Sequence, residues 1–162
     1  MDNKIKLLIV DDEIKFLNAI ARRLEMRDFE VTKAGNGAEA LEAARNDKFD
    51  VALLDLKMPG MNGQEVLEVL KREHSFLEVI ILTGHGSLDS AVECTKLGAF
   101  GYLPKPYEFD RLLEVLKDAY QHRLQRKFEH DEQRLAELAD MAVGQSALGI
   151  LRRMRELDDE VK

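Results

Sequence analysis

The sequence predicts an α/β fold in which helices cover both faces of a five-stranded parallel sheet. Five short apolar runs of strand length alternate along the chain with segments whose apolar residues recur at helical spacing. The runs are apolar at successive positions, which is typical of parallel strands that are buried on both faces. The strand–helix units are short and regular, so we predict a flavodoxin-like, doubly wound (βα)5 arrangement with a C-terminal helical extension.

The predicted strands are the apolar runs at 5–10, 29–34, 51–54, 79–82 and 100–103. Helical spacing follows each of them, at 14–24, 38–45, 66–70, 87–97 and from 108 onward. Turn signals at 35–37 and 60–63 separate strands from helices. Ser87 is expected to cap the fourth helix and Gly98 to end it.

Composition limits the classes of function. The chain has 162 residues, of which 45% are hydrophobic and 34% charged, which suits one domain of ordinary size with a modest extension. The net charge of −7 argues against direct binding to nucleic acid. Residues 1–120 hold 22 acidic and 16 basic side chains, and residues 121–162 hold 9 and 8, so the C-terminal part is not a basic arm.

Cysteine content and hydropathy indicate the compartment. Cys94 is the only cysteine, so no internal disulfide can form and a reducing environment fits. No apolar stretch approaches the roughly 20 residues of a membrane span, and the first residues lack the apolar core of a signal peptide. We therefore expect a cytoplasmic protein without a membrane partner.

The predicted fifth helix is longer than closing the fold requires. Its apolar residues alternate by four and three positions with one polar interruption, along a seam of Leu124, Phe128, Asp131, Leu135, Leu138 and Ala142. The seam predicts either a dimerising coiled coil or a helix that folds back on its own domain. Residues 143–146 break the pattern and a last amphipathic helix follows, so 141–157 could also form a frayed hairpin arm. We predict a first domain of residues 1–122 and a helical extension of residues 123–162, which is a dimerisation or linker segment.

Polar side chains follow four of the predicted strands at the point where each strand ends. Asp11 and Asp12 follow the first strand, Asp55 the third, Thr83 the fourth, and Lys105 comes shortly after the fifth. Because the carboxyl ends of parallel strands share one edge of the sheet, we expect one acidic pocket that contains a lysine. Such a pocket suits a divalent cation and a phosphoryl group.

The chemistry of such a pocket follows from its charges. Three carboxylates need a cation nearby, because like charges would otherwise raise their pKa values and cost stability. Mg²⁺ takes oxygen ligands, usually one or two carboxylates with waters and a phosphate oxygen, so it is the predicted cofactor. A neutralised carboxylate can then attack phosphorus and form an aspartyl phosphate, while lysine and threonine hold the phosphoryl oxygens.

The motifs around these residues resemble the receiver domain of bacterial two-component response regulators and are similar to receivers of the NtrC-like group. The matching segments run in order over residues 4 to about 122: Val10-Asp11-Asp12-Glu13, Leu54-Asp55-Leu56-Lys57-Met58-Pro59-Gly60-Met61-Asn62-Gly63, Leu82-Thr83-Gly84 and Tyr102-Leu103-Pro104-Lys105-Pro106. Each motif alone is weak. Their order and their positions at the ends of the right strands make the resemblance specific.

The resemblance implies roles for the matching positions. Asp55 would accept a phosphoryl group from a sensor histidine kinase, and Thr83 and Lys105 would bind phosphoryl oxygens. The implied Mg²⁺ ligands are Asp12, Asp55, the backbone carbonyl of Lys57 and, through a water molecule, Asp11.

The resemblance also implies a switch. The Lys105–Pro106 bond would be cis, which aims Lys105 into the pocket. Thr83 and Tyr102 would respond to the phosphoryl group and alter the face made by the fourth helix, fifth strand and fifth helix. Lys57 and His85 would tune the lifetime of the phosphoryl group.

The leading hypothesis is a signalling receiver that is not an enzyme in the usual sense, although it assists its own phosphorylation and dephosphorylation. A second class is an interaction module with the same fold that works without phosphate; the intact set of site residues argues against it. A third is a phosphohydrolase of the haloacid dehalogenase type. That class would need an Asp-x-Asp pair and a cap insertion, whereas Asp11 and Asp12 are adjacent and no cap is present.

The sequence does not identify the domain or partner that the receiver would control. Receivers are often followed by a DNA-binding or ATPase domain, and residues 123–162 are too few for an ATPase. Residues 81–86 and the long fifth helix are similar to receivers that precede AAA+ transcription activators. We expect either a single-domain regulator with a helical tail or the receiver-plus-linker part of a longer activator. Self-association would use the switch face or the C-terminal helix.

Overall fold

The computed structural model describes residues 4–58, 60, 62–84, 88–142 and 147–160, with the backbone alone for 147–150. The predicted Ser87 cap and the predicted break at 143–146 lie outside these residues. The elements in chain order are β1 (Ile5–Val10), α1 (Ile14–Glu25), β2 (Phe29–Ala34), α2 (Gly37–Asn46), β3 (Val51–Leu54), α3 (Gly63–Glu73), β4 (Glu78–Thr83), α4 (Leu88–Lys96), β5 (Gly101–Pro104), α5 (Phe109–Ala142) and α6 (Ala147–Asp159).

The five strands form one parallel sheet in the order β2-β1-β3-β4-β5, which confirms the predicted fold class. The strand order reverses between β1 and β3, because the chain first runs outward to β2 and then crosses back. In doubly wound sheets, ligands bind at such a reversal, outside the carboxyl ends of the strands. Val10 pairs with Leu54 in this register, so Asp11 and Asp55 follow side by side.

Each face of the sheet has its own core. In β3, Ala52 and Leu54 belong to the core beneath α2, α3 and α4, whereas Val51 and Leu53 belong to the core beneath α1 and α5. All four side chains are almost completely buried, as the continuous apolar run predicts. Packing on both faces fixes the strand ends that carry the polar residues.

Helix α5 is a single helix of 34 residues, and α6 runs back along it. Arg134 pairs with Asp158, and Arg153 lies 3.1 Å from Glu137, which sets the two helices antiparallel. Leu157 of α6 is only 3% exposed. The C-terminal region is therefore a helical hairpin, one of the arrangements that the sequence left open. Within the described ranges, no helix combines the length and the apolar character that a membrane crossing requires.

The predicted seam of α5 is not covered by α6. Leu124, Phe128 and Leu135 are 48%, 58% and 67% exposed, whereas Leu138 is half-buried. Helix α6 contacts Arg134 and Glu137 and leaves the seam between Leu124 and Leu135 exposed. The fold-back of α6 and a coiled coil along the seam do not exclude each other.

Charged side chains tie α5 to the amino edge of the sheet beyond residue 122. Arg126 donates to Oε1 of Glu78, a carboxylate that is only 2% exposed at the start of β4. Arg123 donates from Nε to Asp50 at 2.9 Å and from Nη1 to the carbonyl of Phe76 at 3.1 Å. These contacts cross the boundary predicted between residues 122 and 123, so α5 is continuous with the sheet domain at least as far as Arg126.

Candidate metal centre

The carboxyl ends of β1 and β3 carry two buried carboxylates side by side. The N–H of Asp11 donates to the carbonyl of Ala34 at 3.1 Å, and the N–H of Asp55 donates to the carbonyl of Val10 at 3.0 Å. These bonds continue the parallel ladder by one residue beyond each strand. The sheet therefore fixes both backbones, and the residues Asp11 and Asp55 are 2% and 3% exposed.

Asp11, Asp12 and Asp55 form one carboxylate cluster. Each offers an oxygen, and the three oxygens lie within 4.8 Å of one another. Asp12 is the exposed member, while the other two are buried. Oxygen donors at this spacing fit a hard divalent cation such as Mg²⁺, which binds carboxylates together with water. The donor set therefore fits the cofactor that the sequence predicts.

Lys105 brings a positive charge to the cluster. Its Nζ lies 2.7 Å from Oδ2 of Asp11, 3.7 Å from Oδ2 of Asp55 and 3.7 Å from Oε1 of Glu13. The ammonium also lies 4.0 Å from the centroid of the Phe16 ring, in cation–π geometry. Three carboxylates and one ring face thus surround a side chain that reaches in from the loop after β5.

The backbone of Lys105 is held as firmly as its ammonium. Its N–H donates to the carbonyl of Thr83 at 3.0 Å, which joins the loop after β5 to the end of β4. The peptide bond between Lys105 and Pro106 is cis. A Cβ on Gly84 would make an ordinary contact of 3.8 Å with Cβ of Lys105, so the two loops lie against each other.

Burial and charge oppose each other in setting the pKa values of this cluster. Burial raises the pKa of Asp11, and the hydrogen bonds that Asp11 accepts from Lys105 and from the N–H of Glu13 offset this only in part. Burial alone would lower the pKa of Lys105, but its hydrogen bond to Asp11 and the nearby carboxylates outweigh burial and raise it. Lys105 is therefore a protonated cation throughout the physiological range.

Backbone donors orient both buried carboxylates in the same way. The N–H of Glu13 donates to Oδ1 of Asp11 at 2.9 Å, and the N–H of Lys57 donates to Oδ1 of Asp55 at 3.1 Å. Each bond is local, since the donor lies two residues after the aspartate. Oδ2 of both residues is thereby left on the side of Lys105.

The loop after Asp55 packs directly on the start of α3. A Cβ at Gly63 would lie 2.5 Å from Cα of Leu56 and 2.8 Å from the carbonyl oxygen of Asp55, so a larger residue does not fit without movement of the backbone. Gly60 has a φ of 84°, which glycine adopts without strain. Asn62 caps α3 through its side-chain oxygen. These residues fix the position of the loop that carries Lys57.

Thr83 and Tyr102 lie on the neighbouring strands β4 and β5. Thr83 is completely buried. Tyr102 is half-buried against the core that contains Cys94, and within the described part of the chain its hydroxyl is buried without a hydrogen-bond partner. Burial raises the pKa of Tyr102, and charge at Cys94 and Asp55 adds to the effect. The phenol therefore stays neutral.

The structure brings four of the predicted site residues into direct proximity: Asp11, Asp12, Asp55 and Lys105. Thr83 joins them through the backbone of Lys105, and Lys57 joins them through its bond to Asp55. Tyr102 lies earlier in β5, opposite Ile81 and away from the carboxyl edge. His85 lies outside the described residues.

Glu13, Phe16 and Gly63 were not assigned roles from the sequence. Glu13 directly follows the acidic pair, and Phe16 lies one helical turn beyond Asp12, so both positions face the pocket as soon as α1 begins. The close approach at Gly63 has no local sequence signal apart from the glycine itself. Only the folded loop shows what excludes a side chain there.

Comparison with known proteins agrees with this geometry. A family model for the response regulator receiver domain matches residues 7–117. The chain is 40% identical over 114 residues to the DNA-binding transcriptional regulator NtrC of Escherichia coli K12, and 38% identical over 119 residues to the transcriptional regulatory protein ZraR of Klebsiella oxytoca. The matches cover 70% and 74% of this chain but 24% and 27% of those proteins. The chain therefore spans about a quarter of the length of the curated relatives it matches.

Solved structures share the fold. A CheY-like response regulator receiver domain protein from Methanospirillum hungatei JF-1 superposes with a TM-score of 0.74 at 32% identity, over 76% of this chain and 99% of that one. The receiver domain of NtrX from Brucella abortus superposes with a TM-score of 0.68 at 30% identity, over 71% of this chain and 98% of that one. The resemblance drawn from the motifs is confirmed.

Proposed function

From the premise that this chain belongs to the response regulator receiver domain family, we propose that it accepts a phosphoryl group on Asp55 from a sensor histidine kinase and changes its interactions in response. The observation that carries the proposal is the cluster of three carboxylates within 4.8 Å of one another, with the ammonium of Lys105 beside it. A module that only binds partners would have no use for a buried carboxylate next to a half-buried lysine ammonium.

In the proposed transfer, Oδ2 of Asp55 attacks the phosphorus of a phosphohistidine. The O–P bond forms as the N–P bond breaks, and the electron pair of that bond returns to the imidazole of the kinase. Oδ2 lies 3.7 Å from Nζ of Lys105, beyond hydrogen-bonding distance, whereas Oδ1 accepts the N–H of Lys57. Oδ2 is therefore the less engaged oxygen, and Lys105 is placed to neutralise charge on the incoming phosphoryl oxygens.

Mg²⁺, when bound, supplies positive charge that screens the carboxylates from the incoming phosphoryl group. Asp12, Asp55 and the backbone carbonyl of Lys57 would hold it directly. Asp11 already accepts hydrogen bonds from Lys105 and from the N–H of Glu13, which suits a contact through water.

We propose that the response reaches the surface through Thr83 and Tyr102. Thr83 would bind a phosphoryl oxygen, and the uncommitted hydroxyl of Tyr102 would find a partner as the ring changes position. The surface they affect is the α4-β5-α5 face, where Leu88 is 81% exposed and Val92 45%. Lys57 and His85 are proposed to set how fast water removes the phosphoryl group.

The proposed output of this chain is a change in self-association. It would use either the α4-β5-α5 face or the seam of α5. The seam is apolar and exposed along Leu124, Phe128 and Leu135. Leu138, Asp131 and Ala142 complete the four-and-three spacing of a coiled coil. Residues 1–122 would then act as the receiver and residues 123–162 as the dimerising or linker extension.

The wider role is proposed from the relatives. They include DNA-binding transcriptional regulators that are about four times as long as the matched part. This chain is acidic, so we propose that it contacts nucleic acid only through a further domain or partner. In this proposal the chain is a cytoplasmic signalling domain rather than an enzyme in the usual sense.

The proposal is tested by phosphorylation with acetyl phosphate in the presence of Mg²⁺, read by intact mass. The wild-type chain and an Asp118→Asn control should gain one acid-labile phosphoryl group, and Asp55→Asn should gain none. Circular dichroism of the Asp55→Asn protein checks that the fold is intact. Uptake by Asp55→Asn would show that the nucleophile is another residue. No uptake by the wild type would favour an interaction module that works without phosphate.

The proposed output is tested by size-exclusion chromatography with light scattering, with Mg²⁺ and with or without beryllofluoride as a mimic of the aspartyl phosphate. A mass change that is lost in Asp55→Asn and in Phe128→Glu, but kept in Leu151→Glu on α6, would assign it to the seam. A change that survives Phe128→Glu would assign it to the α4-β5-α5 face. The same mass in every sample would exclude self-association as the output.

A further inference from the structure

A second cavity lies at the amino edge of the sheet, opposite the carboxylate cluster. It has a volume of about 410 Å³, within the range of sites that bind small molecules. Its walls come from the end of α2 and the loop after it, the end of α3 and the loop between α3 and β4, two residues of α5 and one of α6. We call it the amino-edge cavity, and its lining includes Phe49, Phe76, Lys48, Lys127 and Asp158.

The body of the amino-edge cavity is apolar. Ala44, Phe49 and Leu77 are buried core residues that also line it. The ring of Phe76 forms a further wall and is held from the α5 side, since Arg126 lies 5.3 Å and His130 5.4 Å from its centroid. A ligand there would contact aromatic and aliphatic surface that is already fixed in place.

Every acidic residue that lines the cavity already has a cationic partner. Asp47 lies 2.6 Å from Lys6, Glu73 lies 3.3 Å from Arg45, and Asp158 pairs with Arg134. Arg123, one of the basic residues of the lining, is likewise paired, with Asp50.

Two lysines of the lining are different. Lys48 and Lys127 are exposed and have no ion-pair partner among the described residues. The unpaired charge around the cavity is therefore positive. It lies on both sides of the boundary between the sheet domain, which supplies Lys48, and the helical extension, which supplies Lys127.

We propose that the amino-edge cavity binds a small amphipathic carboxylate, with its apolar body between Phe49 and Phe76 and its carboxylate between Lys48 and Lys127. The apolar body would be removed from water, and the carboxylate would gain two charge-assisted contacts. Such a ligand touches the sheet domain and the α5–α6 hairpin at once. Its binding would hold the hairpin on the domain independently of chemistry at Asp55.

The test uses two probes that share one ring system and differ in charge, 2-naphthoate and the neutral 2-naphthamide, titrated into the full chain. Backbone amide shifts by NMR should change at 44–49 and 73–77 with both probes. Binding of 2-naphthoate should be the tighter by about tenfold, as expected from two exposed charge-assisted contacts. Asp55→Asn should leave both affinities unchanged.

The contribution of the two lysine charges to ligand binding is tested with the double variant Lys48→Gln and Lys127→Gln. This protein should lose about tenfold in affinity for 2-naphthoate and remain within about twofold for 2-naphthamide. A matched control, Lys15→Gln combined with Lys117→Gln, removes two exposed charges away from the cavity and should change neither. Shifts elsewhere in the protein, equal affinity for the two probes, or equal loss in the control would each overturn the proposal. So would the absence of shifts up to the solubility limit of both probes.

Discussion

Lys105 donates a hydrogen bond of 2.7 Å to Oδ2 of Asp11, and its ammonium also faces the Oδ2 of Asp55. A protonated lysine in this position competes with a metal ion for the same carboxylates. We expect Lys105→Ala to bind Mg²⁺ at least as tightly as the wild type, because the competing charge is gone, and to lose the change that beryllofluoride induces. NMR titration with Mg²⁺ measures the first effect, with Lys15→Ala as control. Weaker Mg²⁺ binding in Lys105→Ala would mean that the lysine supports the metal site.

A substitution at Gly63 tests how tightly the loop after Asp55 packs on the start of α3. Gly63→Ala should lower the free energy of unfolding by about 2–3 kcal/mol, because its Cβ would lie 2.5 Å from Cα of Leu56. Gly101→Ala is the control, since a Cβ there meets Val115 at an ordinary 3.7 Å, and it should stay within about 1 kcal/mol. Urea unfolding measures both. Equal stability of the two variants would show that the loop moves freely.

The Glu78–Arg126 pair tests the tie between α5 and the sheet. Arg126→Met should lower the free energy of unfolding by roughly 2–4 kcal/mol, because it leaves a buried carboxylate with His122 as its remaining ion-pair partner among the described residues. Adding Glu78→Gln should recover part of the loss.

Arg111→Met is the control for this pair, since Arg111 forms an exposed pair with Glu114 and should matter little. A chain cut after residue 122 should lose at least as much stability as Arg126→Met, because it also lacks the contacts of Arg123, whereas one cut after residue 131 should keep the pair. A protein of residues 1–122 that is as stable as the longer chain would contradict this and support the boundary predicted from the sequence.

The raised pKa of Tyr107 leads us to expect that folding stability falls at high pH. Burial raises the pKa of Tyr107 to about 12, whereas an unfolded tyrosine ionises near 10. Above pH 10 the unfolded chain therefore loses a proton that the folded chain keeps, and stability falls as pH rises toward 12. Tyr107→Phe should remove up to about 2 kcal/mol of this fall while leaving the pH dependence below 10 unchanged. Parallel curves for the two proteins above pH 10 would exclude the effect.

The sheet and the carboxylate cluster were predictable because both depend on local patterns. An apolar run such as 51–54 indicates a buried strand, and a residue that follows it must lie at the carboxyl edge. The proximity of Asp11 and Asp55 therefore follows from strand geometry alone. The place of Lys105 in the pocket was predicted from the motif of residues 102–106. The neighbours Glu13 and Phe16 require the direction of α1, which the pattern does not give.

The ties at the amino edge were not predictable, because their partners lie far apart in the chain. Glu78 stands just before an apolar run, and Arg126 lies on what the spacing identifies as a solvated face of the helix. Their 48-residue separation leaves no periodicity to find. The arrangement of α6 was open for a similar reason, since the spacing of Leu151, Met154 and Leu157 shows an amphipathic helix but not the surface that it covers.

Because α5 is one unbroken helix, it fixes both how far the extension reaches from the sheet and the direction in which each of its side chains points. At about 1.5 Å per residue, the helix extends some 50 Å from Phe109, and each residue added to it turns everything beyond by about 100°. One residue inserted between Phe128 and Leu135 would turn Leu135 by about 100° relative to Phe128, while seven inserted residues would bring it back to within about 20°. The direction in which the far end of the helix faces is therefore set by counting residues from the sheet.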